Sequence, residues 1–427
     1  MTGRPEAVRN ALSGKGIGGI LRDIGYVSFG KYGQYLVTVV TLPLAARVLG
    51  AAGLGLLAVG MSAYFVGTLL VDLGITAFLA ARVHEADHDR AMINDLRASY
   101  AAIRIAILGG IGLLGVIGFS LNVPAHAGMI LLGLFAGGFW SLSEDWLLIG
   151  RGRFGASIAY QSVGRAAYLL LLVVLLPRHP TAAMALGCLL GSSVLTVGLT
   201  WLDGFRTFGP LVAPHRIRSV LRTGAPVLAS RLLTSSYGQG AAAVYSGILS
   251  ATSLGVFSAS DRLVRALQSL LDPIGFALLP RMARRGAEAG FWRRSMRALS
   301  AAVAAAAVVT SGTWLLAPVI IPLIFGGDFA NAVSLLRVEV LVLPATTVTS
   351  YITTAVLPVQ QDTAGVLIGA VLGAGVGAAA VLLALRSHSV WTLVGGVVAA
   401  EFSVAGWYLA RMWQLSRRAA RTREAVL

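Results

Sequence analysis

The stretch AAIRIAILGGIGLLGVIGFSL, residues 101–121, decides the fold class. It carries one charge, Arg104, and it is as long as the roughly 20 apolar residues that a transmembrane helix needs. Similar stretches recur along the chain, separated by short Arg-rich segments. Hydrophobic residues make up 56% of the chain and charged residues 12%, whereas soluble domains carry about 25% charged residues. The mean hydropathy is +0.79. The sequence therefore predicts an all-α membrane protein with no sizeable soluble domain.

Twelve transmembrane helices are predicted, in two sets of six. The first set lies near residues 25–48, 55–80, 101–121, 127–150, 155–176 and 181–201. The second set lies near residues 219–250, 254–280, 296–325, 334–358, 363–385 and 389–413. The loops are short, so the spans account for nearly all of the chain.

Loop charge predicts the orientation of the spans. If the loops are assigned alternately to two sides, Arg47, Arg178 and Arg386 fall on one side, and most other basic residues fall on the opposite side. Cytoplasmic loops carry an excess of Lys and Arg. Both termini are therefore predicted to be cytoplasmic, in a multi-pass protein of the bacterial inner membrane.

An internal repeat divides the chain into two halves. Residues 17–83 align without gaps with 217–283, and the alignment pairs Arg22 with Arg222, Gly55 with Gly255 and Asp72 with Asp272. Each copy holds six spans, so the two copies run parallel. Parallel repeats place the substrate path between the halves, which predicts a two-lobed transporter that works by alternating access. A non-transporting scaffold is the alternative.

The predicted domains follow from this repeat. They are a cytoplasmic N-terminal segment at 1–24, an N-lobe at 25–202, a cytoplasmic linker at 203–218, a C-lobe at 219–413 and a basic tail at 414–427.

Four segments resemble a known family. They are PLAARVLGAAGLGLLAVG (43–60), LLVDLGITAFLAARV (69–83), GVFSASDRLVRALQSLLDPIGFALLPRMAR (255–284) and LLAPVIIPLIFGGDFANAVSLLRV (315–338). They are similar to the polysaccharide or O-antigen flippase branch of the multidrug/oligosaccharidyl-lipid/polysaccharide (MOP) exporters. The resemblance implies two six-helix lobes around a central cavity, as in the multidrug (MATE) exporters.

The resemblance also implies a substrate and partners. The substrate would be an oligosaccharide on undecaprenyl pyrophosphate, moved outward for exopolysaccharide or O-antigen biosynthesis. The expected partners are membrane lipids, an H⁺ or Na⁺ coupling ion, and polysaccharide polymerase and export machinery. Nucleic acid is not expected, because the basic residues are dispersed between apolar segments.

Cations inside the spans are candidate substrate-binding residues, because an intramembrane charge is costly and usually functional. Lys31 and Arg231 are related by the 200-residue offset of the repeat, so both lobes could supply a cation to one pyrophosphate. Alternatively, Lys31 reaches the interface and Arg231 pairs with an acid. The remaining candidates are Arg104, Arg165, Arg262 and Arg265, each of which either lines the cavity or belongs to an ion pair. Asp261 is four residues before Arg265 and could neutralise it within the helix, which leaves Arg262 the freer cation.

Acids inside the spans are candidate ion-coupling residues. These are Asp72, Glu144, Asp145 and Glu401. Each could bind and release H⁺ or Na⁺, or could pair with an arginine, and pairing is favoured for Asp72. Candidates for a sugar path lie in the first and seventh spans, namely Gln34, Tyr35, Tyr237, Gln239 and Tyr245. Interfacial or packed tyrosines are the alternative.

The sequence argues against an enzyme. It holds no nucleophile motif, no phosphate-binding loop and no metal-ligand spacing among its six histidines. We therefore predict no catalytic residue, no bound metal and no cofactor. Two rival functions stay open, a drug/cation antiporter with an acidic cavity and, less favoured because the outer loops are short, a membrane polymerase or ligase.

Overall fold

The protein is described here by a computed structural model that covers residues 17–85, 89–271, 290–357, 360 and 362–424. The N-terminal half holds α1 (Ile17–Asp72), α2 (Thr76–Glu85), α3 (Arg90–Ser120), α4 (Ala125–Trp140), α5 (Asp145–Gly150), α6 (Phe154–Leu175) and α7 (Ala182–Phe208). The C-terminal half holds α8 (Ile217–Tyr237), α9 (Ala241–Tyr245), α10 (Ala251–Leu271), α11 (Phe291–Phe325), α12 (Ala332–Glu339), α13 (Val342–Tyr351), α14 (Thr363–Ser387) and α15 (Val390–Glu424). The described residues contain no β-strand, which confirms the all-α class.

The helices are consistent with the predicted twelve spans. Within the described residues, nine helices are long and apolar enough to cross a membrane. The other predicted spans, the first, seventh and eighth, correspond to the first arm of α1, to α8 and to α10. The α10 helix is long enough to cross a membrane but is not counted among the nine, because it carries three charged residues, Asp261, Arg262 and Arg265. The chain is a multi-pass membrane protein.

The α1 helix has two arms. Gly50 separates them, with a φ of 64° and a ψ of −176°, a backbone conformation that is open to glycine and strained for residues with a Cβ. The first arm (17–49) and the second arm (51–72) are the first two spans of the chain. The bend between them is therefore made by one residue.

Four predicted spans are interrupted. The seventh is divided at Gly238 into α8 and α9, and the tenth is divided into α12 and α13. The second and fourth are interrupted near the same end of the bundle. The second span breaks at Leu73 and Gly74, which have φ values of 54° and 65°, so α2 begins as a separate helix. The fourth span breaks between α4 and α5. The spans predicted near 55–80 and 127–150 are therefore each made of two helices, and a polar side chain on α3 bonds to the freed backbone at each break.

The two halves meet closely where the second arm of α1 crosses α10. A Cβ on Gly55 would overlap the carbonyl oxygen of Ala251, and a Cβ on Gly255 would overlap the carbonyl oxygen of Ala51. The contact is reciprocal at an offset of 200 residues, as two helices related by a twofold axis would produce. Only glycine allows this approach, which explains the matched glycines of the repeat.

A second contact joins the halves at the opposite end of the second arm. Here α8 packs against the turn that follows α1. A Cβ on Gly224 would lie 2.9 Å from Leu73, and a Cβ on Gly74 would lie 2.7 Å from the Arg231 side chain. In the predicted orientation, the Gly55–Gly255 contact is extracytoplasmic and this second contact is cytoplasmic. The space between the halves is thus bounded by helix contacts at both ends.

Candidate functional site

A cavity of about 480 Å³ lies between the two halves. The second arm of α1 and α10 line it with the same positions of the repeat. On α1 these positions hold Leu57, Ala58, Met61, Ser62 and Phe65, and on α10 they hold Phe257, Ser258, Asp261, Arg262 and Arg265. Each of these α1 residues is related to one of the α10 residues by the 200-residue offset, so the two repeated helices line the cavity with the same helix face. One face is uncharged and the other carries three charges.

The cavity wall holds three arginines and one acid within the described residues. They are Arg165 on α6 and Arg262 and Arg265 on α10, and the acid is Asp261 on α10. Asp261 accepts a hydrogen bond from Arg265 Nε at 2.8 Å. Arg165 Nη2 donates to Gln161 Oε1 at 2.9 Å. Within the described wall, arginines outnumber acids three to one.

Arg262 is the cation best placed to meet an anion. Its neighbours are the phenol of Tyr168 and the carboxylate of Asp261, and Arg265 already holds that carboxylate. A guanidinium group has five donors in a fixed fork that matches phosphate oxygens. Arg262 therefore offers an anion-binding group to the cavity.

The rest of the wall combines hydroxyl groups with aromatic rings. Hydroxyl groups come from Thr41, Ser62, Thr68, Ser192, Ser193 and Thr196, and aromatic rings from Tyr64, Phe65, Trp140, Tyr168 and Phe257. Gln239, a candidate from sequence, also lines it, whereas Tyr245 is buried in the apolar core. Mixed hydroxyl and aromatic groups are suited to sugar rings, which have polar edges and apolar faces.

Arg104 lies elsewhere, at the break between α4 and α5. It is fully buried, and its Nη1 donates to the carbonyls of Ser141 at 2.7 Å and Ser143 at 3.0 Å. One turn earlier on α3, the Tyr100 hydroxyl donates to the Asp72 carbonyl at 2.8 Å, at the break that ends α1. Backbone polar groups in a membrane must be satisfied internally. Both side chains do this for an interrupted helix.

Of the predicted pair Lys31 and Arg231, the structure describes the side chain of Arg231. Arg231 is exposed on α8, beside Gly74 and within electrostatic reach of Asp72. It lies at the contact between the halves rather than in the cavity wall. Lys31 lies in the first arm of α1, and its side chain is outside the described residues. A shared role for the two remains a prediction.

Glu144 lies in a buried ion pair. It accepts a hydrogen bond from Arg97 Nε, and Arg97 Nη1 donates to the Gly209 carbonyl at 3.0 Å. The Glu144 backbone N–H donates to the Thr200 hydroxyl at 3.1 Å. A Cβ on Gly204 would overlap the Glu144 carboxylate, so this glycine leaves room for the pair. The arrangement ties α3, α5 and α7 together outside the cavity.

The other candidate acids have polar neighbours of their own. Asp145 accepts a hydrogen bond from Gln161 Nε2 at 2.8 Å. Asp72 accepts one from the Gly74 N–H at 2.6 Å, within the turn at the end of α1. Glu401 on α15 lies within electrostatic reach of Arg265. Two of these acids are near cations of the cavity wall, Asp145 near Arg165 and Glu401 near Arg265. An ion-coupling role for any of the acids remains a prediction.

Comparison with known proteins now identifies the family. The family described as "Polysaccharide biosynthesis protein" matches residues 20–285, more than half of the chain. The chain belongs to this family. A putative O-antigen transporter of Escherichia coli (strain K12) is 22% identical to this chain over 276 residues. The match covers 61% of this chain and 64% of the relative.

Solved structures show the same fold. The lipid II flippase MurJ, in an inward closed conformation, matches with a TM-score of 0.75 and 12% identity over 91% of this chain and 87% of that chain. An inward-facing MATE family transporter of the MOP superfamily matches with a TM-score of 0.64 and 18% identity over 89% of this chain and 96% of that chain. The MOP-type fold expected from sequence is confirmed. These proteins are named as transporters or a flippase, and none of the names describes an enzyme.

One buried acid was not among the candidate residues predicted from the sequence. Glu339, at the end of α12, is almost fully buried and accepts a hydrogen bond from the Ser260 hydroxyl at 2.6 Å. It lies beside Asp261 and Arg265. In the sequence, Glu339 is two residues from Arg337, which places the two on different helix faces. The partners of Glu339 are about 80 residues away, and no local spacing indicates them.

Proposed function

We propose that this protein is a flippase for oligosaccharide linked to undecaprenyl pyrophosphate. It would carry the lipid-linked repeat units across the bacterial inner membrane, for exopolysaccharide or O-antigen biosynthesis. The observation that carries the proposal is the cationic wall of Arg165, Arg262 and Arg265 in a cavity between two repeated halves.

The cavity chemistry matches the two parts of such a head group. Charge-assisted hydrogen bonds from arginine to phosphate are about twice as strong as neutral ones, and they offset the cost of arginines inside the membrane. The α1 face, with Met61, Ser62 and Phe65, leaves an uncharged surface for sugars. A volume of about 480 Å³ is within the range of roughly 300–1,000 Å³ of small-molecule sites. Larger glycans require the halves to separate.

The two contacts between the halves support alternating access. The cavity lies between the Gly55–Gly255 contact and the contact of α8 with the turn after α1. A rocking motion that opens one contact and keeps the other exposes the same site to each side in turn. The predicted lobes, 25–202 and 219–413, would be the moving bodies, and the lipid tail would remain in the bilayer.

The rival drug/cation antiporter requires the opposite charge. A cationic drug prefers an acidic cavity, and the acid in the described wall, Asp261, is held by Arg265. The likeness to a MATE transporter concerns the fold. The cavity charge therefore favours an anionic substrate over a cationic drug.

The decisive experiment measures flipping by the purified protein in vesicles. Full-length protein would be reconstituted with a short, labelled glycan on undecaprenyl pyrophosphate, and transfer to the opposite leaflet would be followed with a membrane-impermeant glycosidase. We expect transfer only in vesicles that contain the protein. Depletion in cells should accumulate the lipid-linked repeat unit on the inner leaflet. Transport of a cationic dye without flipping would support the antiporter, and formation of a new glycosidic bond would support an enzyme.

A further inference from the structure

An amide links one arginine of the cavity wall to an acid on α5. Arg165 Nη2 donates a hydrogen bond to Gln161 Oε1 at 2.9 Å, and Gln161 Nε2 in turn donates to Asp145 Oδ2 at 2.8 Å. Arg165 and Gln161 line the cavity from one face of α6. Asp145 belongs to α5, and its other oxygen, Oδ1, is buried. The three side chains form a continuous chain, the Arg165 relay, from the cavity to the break in the fourth span.

The two end groups fix the orientation of the amide between them. A guanidinium group has only donors, so Gln161 must present its oxygen to Arg165. A carboxylate has only acceptors, so Gln161 must present its NH₂ group to Asp145. Rotation of the amide by half a turn would bring two donors together at one end and two acceptors together at the other. Gln161 is therefore held in one orientation, and it holds the Arg165 guanidinium in turn.

The backbone beneath the relay is also fixed. Gly164 precedes Arg165 on α6, and a Cβ at this position would overlap the Thr196 hydroxyl of α7. The two helices therefore touch directly beside Arg165. The arginine side chain is long, and ordering it when a ligand binds costs conformational entropy. The relay supplies that order before the ligand arrives.

Arg165 and Arg265 are held in different ways. Arg265 donates directly to the carboxylate of Asp261, which also lines the cavity, at 2.8 Å. That carboxylate competes with a bound anion for the same guanidinium, because both are negatively charged acceptors. At Gln161, Arg165 instead meets a neutral amide, and Asp145 lies one side chain further away. A neutral partner fixes the position of the guanidinium and does not compete with a phosphate for its charge.

We propose that Asp145 and Gln161 position Arg165 for the phosphate groups of the transported lipid, with Gln161 as the positioning residue. Asp145 fixes the amide, and the amide fixes the guanidinium, so that Arg165 is ordered before the anion binds. The geometry of the relay stands on its two hydrogen bonds. Its ligand rests on the proposed flippase function.

A double-mutant cycle on the full-length protein in lipid nanodiscs tests the relay. The probe is inorganic pyrophosphate, which needs no lipid tail, and its binding is measured by calorimetry. Gln161→Met removes both hydrogen bonds and keeps the length of the side chain, so it should lower the affinity about tenfold. In an Arg165→Ala background, the same substitution should change the affinity by less than about twofold. An equal loss in both backgrounds, or no loss in either, would overturn the proposal.

Two comparisons separate positioning from a general loss of structure. Gln239 also brings an amide to the cavity, so Gln239→Met is the matched control, and its effect should be the same with and without Arg165. Asp145→Leu should weaken binding as Gln161→Met does. Asp145→Asn keeps an acceptor for the Gln161 amide and should recover most of the affinity. If Asp145→Asn bound as weakly as Asp145→Leu, the orientation of the amide would not be the cause and the proposal would fail.

The same titrations with undecaprenyl pyrophosphate keep this inference apart from the proposed function. Binding of inorganic pyrophosphate with the expected cycle, but no binding of the lipid, would contradict the flippase and leave the relay intact. Binding of both ligands with equal losses in the two backgrounds would overturn the relay and leave the flippase intact. Absence of binding of either ligand would overturn both, since Arg165 would then have no anion to meet.

Discussion

Arg262 and Arg104 show that buried arginines of similar appearance in the sequence have different surroundings. Both lie within apolar helices and were predicted as substrate-binding residues. Arg262 lines the cavity, whereas Arg104 bonds to backbone carbonyls at an interrupted helix. The contrast leads to opposite expectations for binding and for stability.

Replacement of Arg262 by Ala should weaken binding and leave stability nearly unchanged. Hydrogen bonds to charged groups contribute about 1.5–3 kcal/mol, so affinity for undecaprenyl pyrophosphate should fall at least about tenfold. Arg386→Ala is the matched control, since Arg386 is exposed at the end of α14. Arg104→Met should instead lower the melting temperature, because two buried carbonyls lose their donor at about 1–3 kcal/mol each. If Arg262→Ala and Arg104→Met lost the same affinity for undecaprenyl pyrophosphate and kept the wild-type melting temperature, the assignment of a binding role to Arg262 and a structural role to Arg104 would be refuted.

The residue scale is also where the sequence was least informative. Spacing along a helix indicated correctly that Asp261 holds Arg265, since the two are four apart on one face. It gave no indication that Arg97 pairs with Glu144 or that Glu339 bonds to Ser260, because these contacts join helices far apart in the chain. An intramembrane charge marks a residue as important, but its partner depends on packing.

At the scale of elements, α14 begins after Asp362, which precedes the membrane-spanning segment and forms an ion pair with Arg411. Asp362 caps the helix, accepting a hydrogen bond from the Gly365 N–H at 3.1 Å. It also accepts hydrogen bonds from Arg411 Nε at 2.6 Å and Nη2 at 3.0 Å. The bonds from Arg411 lower the pKa of the Asp362 carboxyl below its usual value of 3.8. The stabilisation is therefore complete above about pH 4 and is lost as the pH falls further through the lowered pKa.

Two substitutions separate the cap of α14 from the ion pair. Asp362→Asn keeps a good capping residue and removes the charge, so it should lower stability by about 1 kcal/mol at neutral pH and flatten the loss below pH 4. Asp362→Ala removes both interactions and should cost about 1 kcal/mol more. Thermal unfolding of the purified variants between pH 3 and 7 gives the comparison. If Asn and Ala have the same effect, the cap contributes nothing.

Most elements could be predicted from the sequence, and the interruptions could not. Long apolar stretches located the spans, and charge placed their ends. The breaks at Leu73–Gly74, between α4 and α5, and at Gly238 lie inside stretches whose mean hydropathy predicts a single span, although Asp72, Glu144 and Gln239 stand beside them. Hydropathy measures the cost of burying side chains and carries no information on backbone hydrogen bonds. The carbonyl groups left without a helical partner at two of these breaks accept hydrogen bonds from Tyr100 and Arg104 on a neighbouring helix.

At the scale of the whole molecule, the Gly55–Gly255 contact should close one end of the cavity during transport. A cysteine pair at Ala51 and Ala251, in a Cys188→Ala background, allows a short cleavable thiol cross-linker to hold this contact. We expect flipping to stop when the pair is cross-linked and to recover after cleavage, because one half of the cycle is blocked. Each single-cysteine variant, treated in the same way, is the control. Undiminished flipping by the cross-linked protein would show that this end does not open.

The unequal walls of the cavity also bear on how such a protein can diversify. The face of α10 supplies Asp261, Arg262 and Arg265, while the corresponding face of α1 supplies Met61, Ser62 and Phe65. After a duplication, one copy can thus keep the arginines that bind the phosphate groups of every substrate, while the residues of the other copy can change. Substitutions on the uncharged face of α1 would change which sugars fit the cavity and would leave the binding of phosphate by the α10 arginines unchanged. A lineage could in this way acquire a new surface polymer through changes on one helix, with the rest of the carrier left untouched.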